Sequence, residues 1–254
     1  MRTFSGDGGG FGINLQMTPG VKGLLIVNTA VFVVGAFSRG LLDFWFGLTP
    51  ALVMKGFLWQ LFTYQFLHAG IGHILFNMLA LWMFGTVIEG TWGRQRFLRY
   101  YFICATGAGV CVFLAGLAGS GYSATTVGAS GAIFGLLLAF GVMYPNAPIL
   151  LFFLFPVPAK FAVMIYGAIE FFFFTTGTGG DVSHIAHLGG LLVGYLYMRY
   201  AGFTRTPRGY YQRRFSLGSS LAGWKGKYQD WNRRRLRKKF EVYMRDQNRN
   251  DHIN

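Results

Sequence analysis

The stretch TTVGASGAIFG, residues 125–135, is a run of small residues at the beginning of an apolar segment of the chain. Ser130 lies within it, between Ala129 and Gly131. A serine in this setting either is a small residue that allows close contact between two helices or acts as a nucleophile. The composition of the chain and its other polar residues distinguish these two interpretations.

The composition indicates a membrane protein with several spans. Of the 254 residues, 53% are hydrophobic and only 13% are charged, and the mean hydropathy is +0.39. Soluble domains carry about 25% charged residues, so this chain has too few charges to cover a surface that faces water. We expect no nucleic acid as a partner, because a basic tail beside a membrane more often marks cytosolic placement.

Six apolar segments are candidates for membrane-spanning helices, each near the roughly 20 residues that a crossing requires. They are residues 21–37, 72–88, 97–118, from 129 to the YPN sequence at 144–146, 161–174 and 185–200. Residues 38–69 are rich in aromatic residues but never become cleanly apolar. Residues 148–158 are apolar but short, and their prolines would break a spanning helix, so we expect an interfacial or re-entrant link there.

The distribution of charge predicts the topology. The formal net charge is +14, and residues 199–254 contain 15 Lys/Arg and 4 Asp/Glu, which leaves +11 in that part of the chain. In a six-span arrangement this part, the arginines of 94–99 and both Lys22 and Lys160 lie on one side of the membrane. The tendency of basic residues to stay inside makes that side cytosolic. The loops on the opposite side have no net charge; they contain Arg39, Asp43, Lys55 and Asp181.

These features predict an all-α chain with three regions. They are a glycine-rich cytosolic N-terminal segment at 1–20, a six-helix membrane domain at 21–200 and a basic cytosolic tail at 201–254. We expect the tail to attract anionic lipid, either as a basic helix on the inner membrane face or as a solvated, disordered segment. We expect the protein in a prokaryotic plasma (inner) membrane, with both termini in the cytosol.

Polar residues with catalytic potential gather in one layer of this arrangement. The second, fourth and sixth spans run from the outer face inward, so their first turns share one depth near the extracytosolic surface. Those turns contain His73, Asn77, Ser130 and His187. Strongly polar groups inside a bilayer are costly and tend to mark function. We therefore expect a site that faces the extracytosolic side.

Ser130 and His187 are the candidate nucleophile and base of this site. Glycines flank both residues and would let the fourth and sixth spans pack closely; these helix-packing glycines are Gly128, Gly131, Gly190 and Gly194. A neutral imidazole within hydrogen-bond distance takes the proton of a serine hydroxyl during attack on a carbonyl carbon. The pattern therefore favours nucleophilic catalysis.

Such a site also needs donors for the oxyanion. His73 and Asn77 are four residues apart and therefore lie on one face of a helix, and the backbone N–H of Ser130 joins them as a third donor. The third position of a triad has no clear occupant, so a Ser–His dyad is the simpler hypothesis. No metal ligand set is predicted.

Three other ionisable residues have less specific interpretations. Glu170 lies inside the fifth span, and we expect it to be protonated or in contact with water. His184 precedes His187 by three residues, and we expect it to be exposed in a loop. We expect His68, which precedes the second span, to lie at the membrane interface.

Three spaced motifs carry a resemblance to a known family. GASG at 128–131 matches the nucleophile pattern G-x-S-G, AHLGGLLVG at 186–194 matches A-H-x-x-G-x-x-x-G, and HILFN at 73–77 matches H-x-x-x-N. The turn after the second span also looks like that of the family, through Gly85, Glu89, Gly93 and Phe97. Over about residues 21–200 the chain resembles the rhomboid intramembrane serine proteases.

The resemblance implies a serine endopeptidase that cleaves transmembrane segments of other proteins in a water-filled cavity, without metal or cofactor. By the same resemblance the nucleophile is Ser130, the general base His187, the oxyanion-stabilising pair His73 and Asn77, and the aromatic residue that stacks on the base Phe134. Residues 38–69 look like the first loop of the family, which lies partly in the membrane. The fifth span looks like the proposed lateral gate.

Two other functions stay open at this point. A non-catalytic relative that binds and escorts membrane segments would need neither Ser130 nor His187, so their presence favours the protease. A channel or transporter would usually show broken helices in paired halves or several charged residues along a pathway, and the sequence indicates neither. The sequence predicts no particular oligomeric state.

Overall fold

The chain folds mainly into helices, with one short hairpin. A computed structural model describes residues 17–38, 40–119, 122–151, 154–177 and 184–201, and the single residues Gln229, Arg233 and Arg235. In chain order its elements are α1 (Pro19–Phe37), α2 (Leu41–Phe46), α3 (Pro50–Val53), α4 (Gln60–Thr63), α5 (Ile71–Ala80), α6 (Thr86–Trp92), α7 (Arg94–Leu117), α8 (Ser130–Met143), β1 (Pro148–Leu151), β2 (Phe155–Pro158), α9 (Ala159–Thr176) and α10 (His184–Tyr200). A π-helical turn, Leu81–Gly85, joins α5 to α6.

Each of the six apolar segments predicted from the sequence coincides with a long helix. Four of these helices are long and apolar enough to cross a membrane: Pro19–Phe37, Ile71–Trp92, Arg94–Leu117 and Ala159–Thr176. The other two, α8 and α10, have 14 and 17 residues. The prediction of a mostly helical membrane protein is therefore confirmed, and this set of helices is compatible with six crossings.

The six helices differ sharply in how much of their surface they bury. Helix α8 buries ten of its 14 residues, because α7, α9 and α10 all pack against it. Helix α9 buries only Ala159 and Ala162, and its side chains Phe171 and Phe172 are each 59% exposed. Helix α8 is therefore the centre of the described bundle, and α9 lies at its edge with an apolar face available to lipid.

The apolar link between α8 and α9 is a β-hairpin, which is the exception to the predicted all-α fold. Strands β1 and β2 pair antiparallel, with Pro148 opposite Pro158 and Leu150 opposite Pro156. Proline lacks the N–H group that a helix interior requires, whereas an edge strand tolerates it. Two strands of four residues are too short to be a seventh crossing of the membrane.

Helix α1 begins on a buried carboxylate group of α6. Glu89 is only 4% exposed, and its oxygens accept hydrogen bonds from the backbone N–H groups of Gly20 and Val21, both at 2.8 Å. The Thr18 hydroxyl donates to the same carboxylate at 2.5 Å. A negative charge at a helix N-terminus is favourable because the free N–H groups and the helix dipole both point toward it. Glu89 therefore fixes the start of the first span to the end of the second.

A glycine makes this arrangement possible. A Cβ atom added at Gly20 would lie 2.8 Å from Oε2 of Glu89, so any larger residue would displace the carboxylate. A Cβ atom at Gly85 would lie 2.9 Å from Cγ2 of Val21, so the π-helical turn also approaches α1 closely. These contacts give a structural reason for the Gly85 and Glu89 positions in the turn that the sequence singles out.

The remaining predicted regions lie mostly outside the described residues. The chain divides into two units, Met1–Pro207 and Arg208–Asn254. The glycine-rich segment at 1–20 is described only from residue 17, and Arg39 and Asp181 of the predicted outer loops are not described. Beyond residue 201 the description is limited to Gln229, Arg233 and Arg235, which are helical and exposed.

Replacement of Glu89 by alanine should destabilise the protein. The Thr18 hydroxyl and the two backbone N–H groups would lose their acceptor, and unsatisfied donors of this kind cost about 2–3 kcal/mol in the free energy of unfolding. The measurement is Tm of the detergent-solubilised protein. Glu89→Gln, which keeps a carbonyl acceptor, should lose less than Glu89→Ala, and an unchanged Tm in Glu89→Ala would contradict this assignment.

Candidate active site

Ser130 is the first residue of α8, and the segment before it is held by the region between α1 and α5. Leu48 and Thr126 form a β-bridge, in which each backbone N–H donates to the other residue's carbonyl oxygen, at 2.9 Å and 2.8 Å. The Gly128 N–H donates to the carbonyl oxygen of Tyr64 at 3.0 Å. These main-chain bonds fix the approach of the chain to Ser130, independently of any side chain in α8.

The position of Ser130 at the start of a helix gives its backbone a chemical role. The first N–H groups of an α-helix have no acceptor four residues earlier, so they point out of its N-terminus. In α8 the Ile133 N–H is the one that reaches back to the carbonyl oxygen of Ala129, at 3.1 Å. The N–H of Ser130 therefore lies at the positive end of the helix, where a developing negative charge is favoured.

Helices α8 and α10 touch backbone to backbone through glycines. A Cβ atom at Gly190 would overlap the carbonyl oxygen of Gly131. A Cβ atom at Gly194 would lie 2.6 Å from the Tyr100 hydroxyl and 3.3 Å from Cα of Gly135. Gly131, Gly190 and Gly194 thus occupy close contacts between helices, as small residues do in membrane proteins.

Gly128 differs from these three glycines. It precedes α8 with φ at +122°, a conformation that residues with a Cβ atom rarely adopt. A Cβ atom there would lie 2.7 Å from both Cε1 and Nε2 of His73. The sequence predicts that Gly128 packs two helices together, but in the structure it makes room for the His73 ring beside Ser130.

The ring of His187 stacks on Phe134. The ring centroids are 4.3 Å apart and the planes differ by 12°, and His187 is 8% exposed. Phe134 comes four residues after Ser130 and therefore lies on the same face of α8, one turn further along. The stack and the glycine contacts together turn the Ser130 face of α8 toward His187. No hydrogen bond joins the Ser130 hydroxyl to His187, two residues that the structure describes; such bonds are often long before a substrate binds.

The hydrogen bonds around His73 indicate which ring nitrogen carries its proton. The Ala69 N–H donates to Nδ1 of His73 at 3.4 Å, so Nδ1 is an acceptor and the proton lies on Nε2. Nε2 is also the nitrogen that faces Gly128. A donor group of His73 therefore points to the segment that carries Ser130.

Asn77 lies one turn after His73 on α5 and is buried. Its Nδ2 group donates to the carbonyl oxygen of His73 at 2.8 Å. An amide nitrogen carries two hydrogens, so this bond leaves a second donor. Asn77 is therefore held rigidly against its own helix and retains a hydrogen for another acceptor.

A carboxylate group of α9 lies against the candidate base, a contact that the sequence does not predict. Oε2 of Glu170 is 2.9 Å from Nδ1 of His187 and 2.6 Å from Nδ1 of His184. The His184 contact is a hydrogen bond, whereas the His187 contact has a suitable distance but lies outside hydrogen-bond angles. Glu170 is thus a candidate for the third position of a triad, for which the sequence indicates no clear occupant.

The expectations for the ionisable residues near the site need correction. His184 is the first residue of α10 and only 12% of its side chain is exposed, so it is not in an exposed loop. Glu170 is equally buried, and its described partners are two imidazoles. The i, i+3 spacing of His184 and His187 places both on one face of α10. It does not indicate that α9 packs against that face.

His68 is buried within the protein, and its position at the membrane interface stays a prediction. Its ring lies 5.2 Å from that of His73, edge to face, and neither of its nitrogens has a hydrogen-bond partner among the described residues. Burial, with a smaller contribution from His73, lowers the pKa of His68 to about 4. His68 is therefore uncharged at neutral pH and shapes the site by packing.

The donor atoms of Glu170, His184 and His187 all lie within 4.8 Å of one another. A carboxylate and two imidazoles are ligands that a divalent cation such as Zn²⁺ accepts. The close contacts within the cluster are already explained by hydrogen bonding and charge. The expectation that the site works without a metal stays a prediction, and removal of divalent ions tests it.

The fold and the site define a helical membrane protein with a serine and a histidine on two contacting helices. Comparison with known proteins identifies the family of this protein. The Rhomboid domain family matches residues 55–202, which is more than half of the chain. The chain therefore belongs to the rhomboid family.

Individual relatives support the same assignment. The chain is 32% identical to the RHOMBOID-like protein 12, mitochondrial, of Arabidopsis thaliana over 187 residues, 68% of this chain and 55% of the relative. It is 36% identical to the Rhomboid protein 1, mitochondrial, of Saccharomyces cerevisiae over 52% of this chain and 38% of that one. It is 35% identical to the Rhomboid protease GluP of Bacillus subtilis over 57% of this chain and 26% of that one. The matched regions span about half or less of each relative.

Gly190→Ala should destabilise the bundle, because the added methyl group would meet the Gly131 carbonyl oxygen and force α8 and α10 apart. Overpacking of this kind costs about 1–3 kcal/mol, measured as a lower Tm in detergent. The matched control is Gly23→Ala on α1, where an added Cβ atom has nothing within 4 Å. Equal Tm values for the two variants would rule out the glycine contact as a determinant of the fold.

Proposed function

We propose that this chain is an intramembrane serine endopeptidase, which hydrolyses a peptide bond in or near transmembrane segments of other membrane proteins. Ser130 is its nucleophile and His187 its general base. The observation that carries the proposal is the parallel stack of Phe134 on His187, one helical turn from Ser130 on contacting helices. The names of two Bacillus subtilis relatives, the Rhomboid protease GluP and the Putative rhomboid protease YdcA, support it.

The proposed reaction begins with acylation of the serine. The Ser130 hydroxyl oxygen attacks the carbonyl carbon of the scissile bond while its proton passes to Nε2 of His187. The oxyanion then accepts hydrogen bonds from the Ser130 N–H, from Nε2–H of His73 and from the second hydrogen of the Asn77 amide. The C–N bond breaks, and the leaving amine takes the proton from His187, which leaves an ester on Ser130.

Deacylation uses the same groups in reverse. A water molecule attacks the ester carbonyl and gives its proton to Nε2 of His187, the oxyanion is held by the same donors, and the proton returns to Ser130 as the ester bond breaks. The product leaves as a carboxylic acid. Two chemical steps through one covalent intermediate replace one difficult step.

The helical form of the substrate limits which segments can be cut. A transmembrane helix hides its carbonyl groups in hydrogen bonds, and lipid offers no replacement partners. Cleavage therefore requires local unwinding, which glycine, proline or polar residues near the scissile bond make easier. The substrate class proposed is a single-span protein with such residues, in preference to a uniform leucine helix.

We place the site on the extracytosolic side of a prokaryotic plasma membrane, with both termini cytosolic. The orientation is supported by the basic residues, which gather on one side of the six-span arrangement. The plasma membrane itself stays a prediction, because the plant and yeast relatives named above are mitochondrial.

Ser130→Ala and His187→Ala should each abolish cleavage of a single-span substrate in detergent. Loss of either member of such a pair costs about 10⁶-fold in related catalytic units, and the double variant should be no worse than either single one. The measurement is the rate of product formation on gels, with labelling of Ser130 by a serine-reactive phosphonate as a second readout.

The matched control is Ser123→Ala, an exposed serine in the preceding segment, which should keep full activity and labelling. Folding of each variant is checked by Tm. Substantial cleavage by well-folded Ser130→Ala would overturn the assignment and favour a relative that binds membrane segments without cutting them.

His73→Ala and Asn77→Ala should each lower kcat by about 100- to 1,000-fold, because each removes a donor that binds the oxyanion and not the ground-state carbonyl. KM should change little. The comparison is His68→Ala, which removes a neighbouring imidazole with no hydrogen bond and should leave most of kcat in the folded fraction. If all three variants lose kcat equally, His73 and Asn77 have no specific role in the transition state.

A further inference from the structure

We propose that Glu170 is a positioning residue for the catalytic base, so that the site works as a Ser–His–Glu unit in which the carboxylate comes from α9. The inference rests on the proposed function, because it assigns a partner to the base named there. Glu170 touches neither substrate nor reacting atoms and acts only through His187.

The first support is the geometry of the contact. One oxygen, Oε2, lies 2.9 Å from Nδ1 of His187 and 2.6 Å from Nδ1 of His184. The side chains of Glu170 and His184 are 12% exposed and that of His187 is 10% exposed. A carboxylate removed from water in this way is costly unless polar groups face it; the His184 imidazole is its donor, and the His187 imidazole lies at hydrogen-bond distance.

The second support is the orientation of the His187 ring. Its Nδ1 is at hydrogen-bond distance from Glu170 but outside the required angle. The ring lies nearly parallel to that of Phe134, and this stack keeps the Nδ1 edge beside the carboxylate. Nε2 lies across the ring from that contact.

The chemical consequence is a fixed tautomer. An acceptor at Nδ1 holds the proton on that nitrogen, so Nε2 keeps the lone pair that a general base requires. When the Ser130 proton arrives at Nε2, the imidazolium ion forms beside a negative charge, which stabilises it. Glu170 stays ionised throughout, and no proton passes to it.

His184 orients the carboxylate from the other side. It donates to the oxygen that faces His187 and stands one turn before it on α10. This contact limits the rotation of the Glu170 side chain. Since α9 buries only Ala159 and Ala162, the two histidines are its main described polar link to α10.

Among the described groups that face His187 from the surrounding helices, Glu170 is the one with a negative charge. Helix α8 contributes Ser130 and Phe134, neither charged. Helix α7 contributes Cys111, whose Cβ atom packs against Gly189. His73 of α5 and His184 on its own helix are the other titratable groups nearby, and both would repel an imidazolium ion if they were protonated.

The test is Glu170→Gln, with two readouts as a function of pH: kcat/KM for a single-span substrate and the rate of phosphonate labelling of Ser130. Labelling reports on the serine and its base without requiring a membrane segment to enter. Both rates should fall at least tenfold, because glutamine no longer selects the tautomer. The acid limb of both pH profiles should also move to lower pH, because the protonated base has lost its negatively charged neighbour.

Three further variants separate positioning from a structural role. Glu170→Asp keeps the charge and should retain the acid limb of the wild type at a reduced rate. Glu170→Gln should have no further effect in a His187→Ala background, since it acts through that ring. Thr175→Ala, which removes an exposed hydroxyl from the same helix, should leave both readouts unchanged. All buffers contain EDTA, so that a divalent ion held by the three ligands does not contribute.

The possible outcomes are distinct. If Glu170→Gln folds and keeps the wild-type rate and acid limb, the inference is overturned while the protease assignment stands. If Glu170→Asp and Glu170→Gln have the same pH profile, the charge has no role and the inference also fails. If the wild type is neither labelled at Ser130 nor active, the proposed function itself has failed. Should Glu170→Gln not fold, Glu170→Asp compared with the wild type carries the test alone.

Discussion

The site depends on the direct contact between the backbones of α8 and α10. Gly190 lies so close to the Gly131 carbonyl oxygen that no side chain fits between them. Only at this separation can the ring of His187 lie flat on Phe134, one turn from Ser130. These glycines have no side chain that could take part in the proposed reaction. In a bilayer, where the hydrophobic effect does not drive helices together, this fit between surfaces is the main source of helix association.

The polar groups of the site are held mostly by the main chain. The segment before Ser130 is fixed by the bridge between Leu48 and Thr126 and by the bond from Gly128 to Tyr64. His73 receives its bond from the Ala69 N–H, and Asn77 gives one to the backbone of its own helix. A region of short helices, residues 40–69, therefore helps to set the geometry of the candidate site.

The sequence predicts the features that depend on one segment at a time. Hydropathy locates the six long helices, and their alternating direction brings His73, Ser130 and His187 to one depth, because both properties follow from chain order. The role of Gly128, the Glu89 cap on α1 and the contact of Glu170 with two histidines depend on which faces of different helices meet. Hydropathy does not encode that facing, since α9 is apolar over most of its surface, with Lys160 and Glu170 as its charged residues. The sequence predicts a link at 148–158 but not its hairpin form, because prolines indicate only that a helix ends there.

The position of Glu170 gives α9 a double part in the proposed enzyme. This helix has the least buried surface of the long helices described, so displacing it costs the least packing energy. It also carries the carboxylate that faces the base. If a substrate segment enters by moving α9 aside, Glu170 leaves His187 in the same motion, and the base loses the acceptor that selects its tautomer. Full activity then requires α9 to return onto α10 around the bound segment, so that entry and chemistry occur in sequence. A segment that holds α9 away from α10 would bind without being cleaved. The return of α9 would therefore distinguish substrates from segments that only bind at the site.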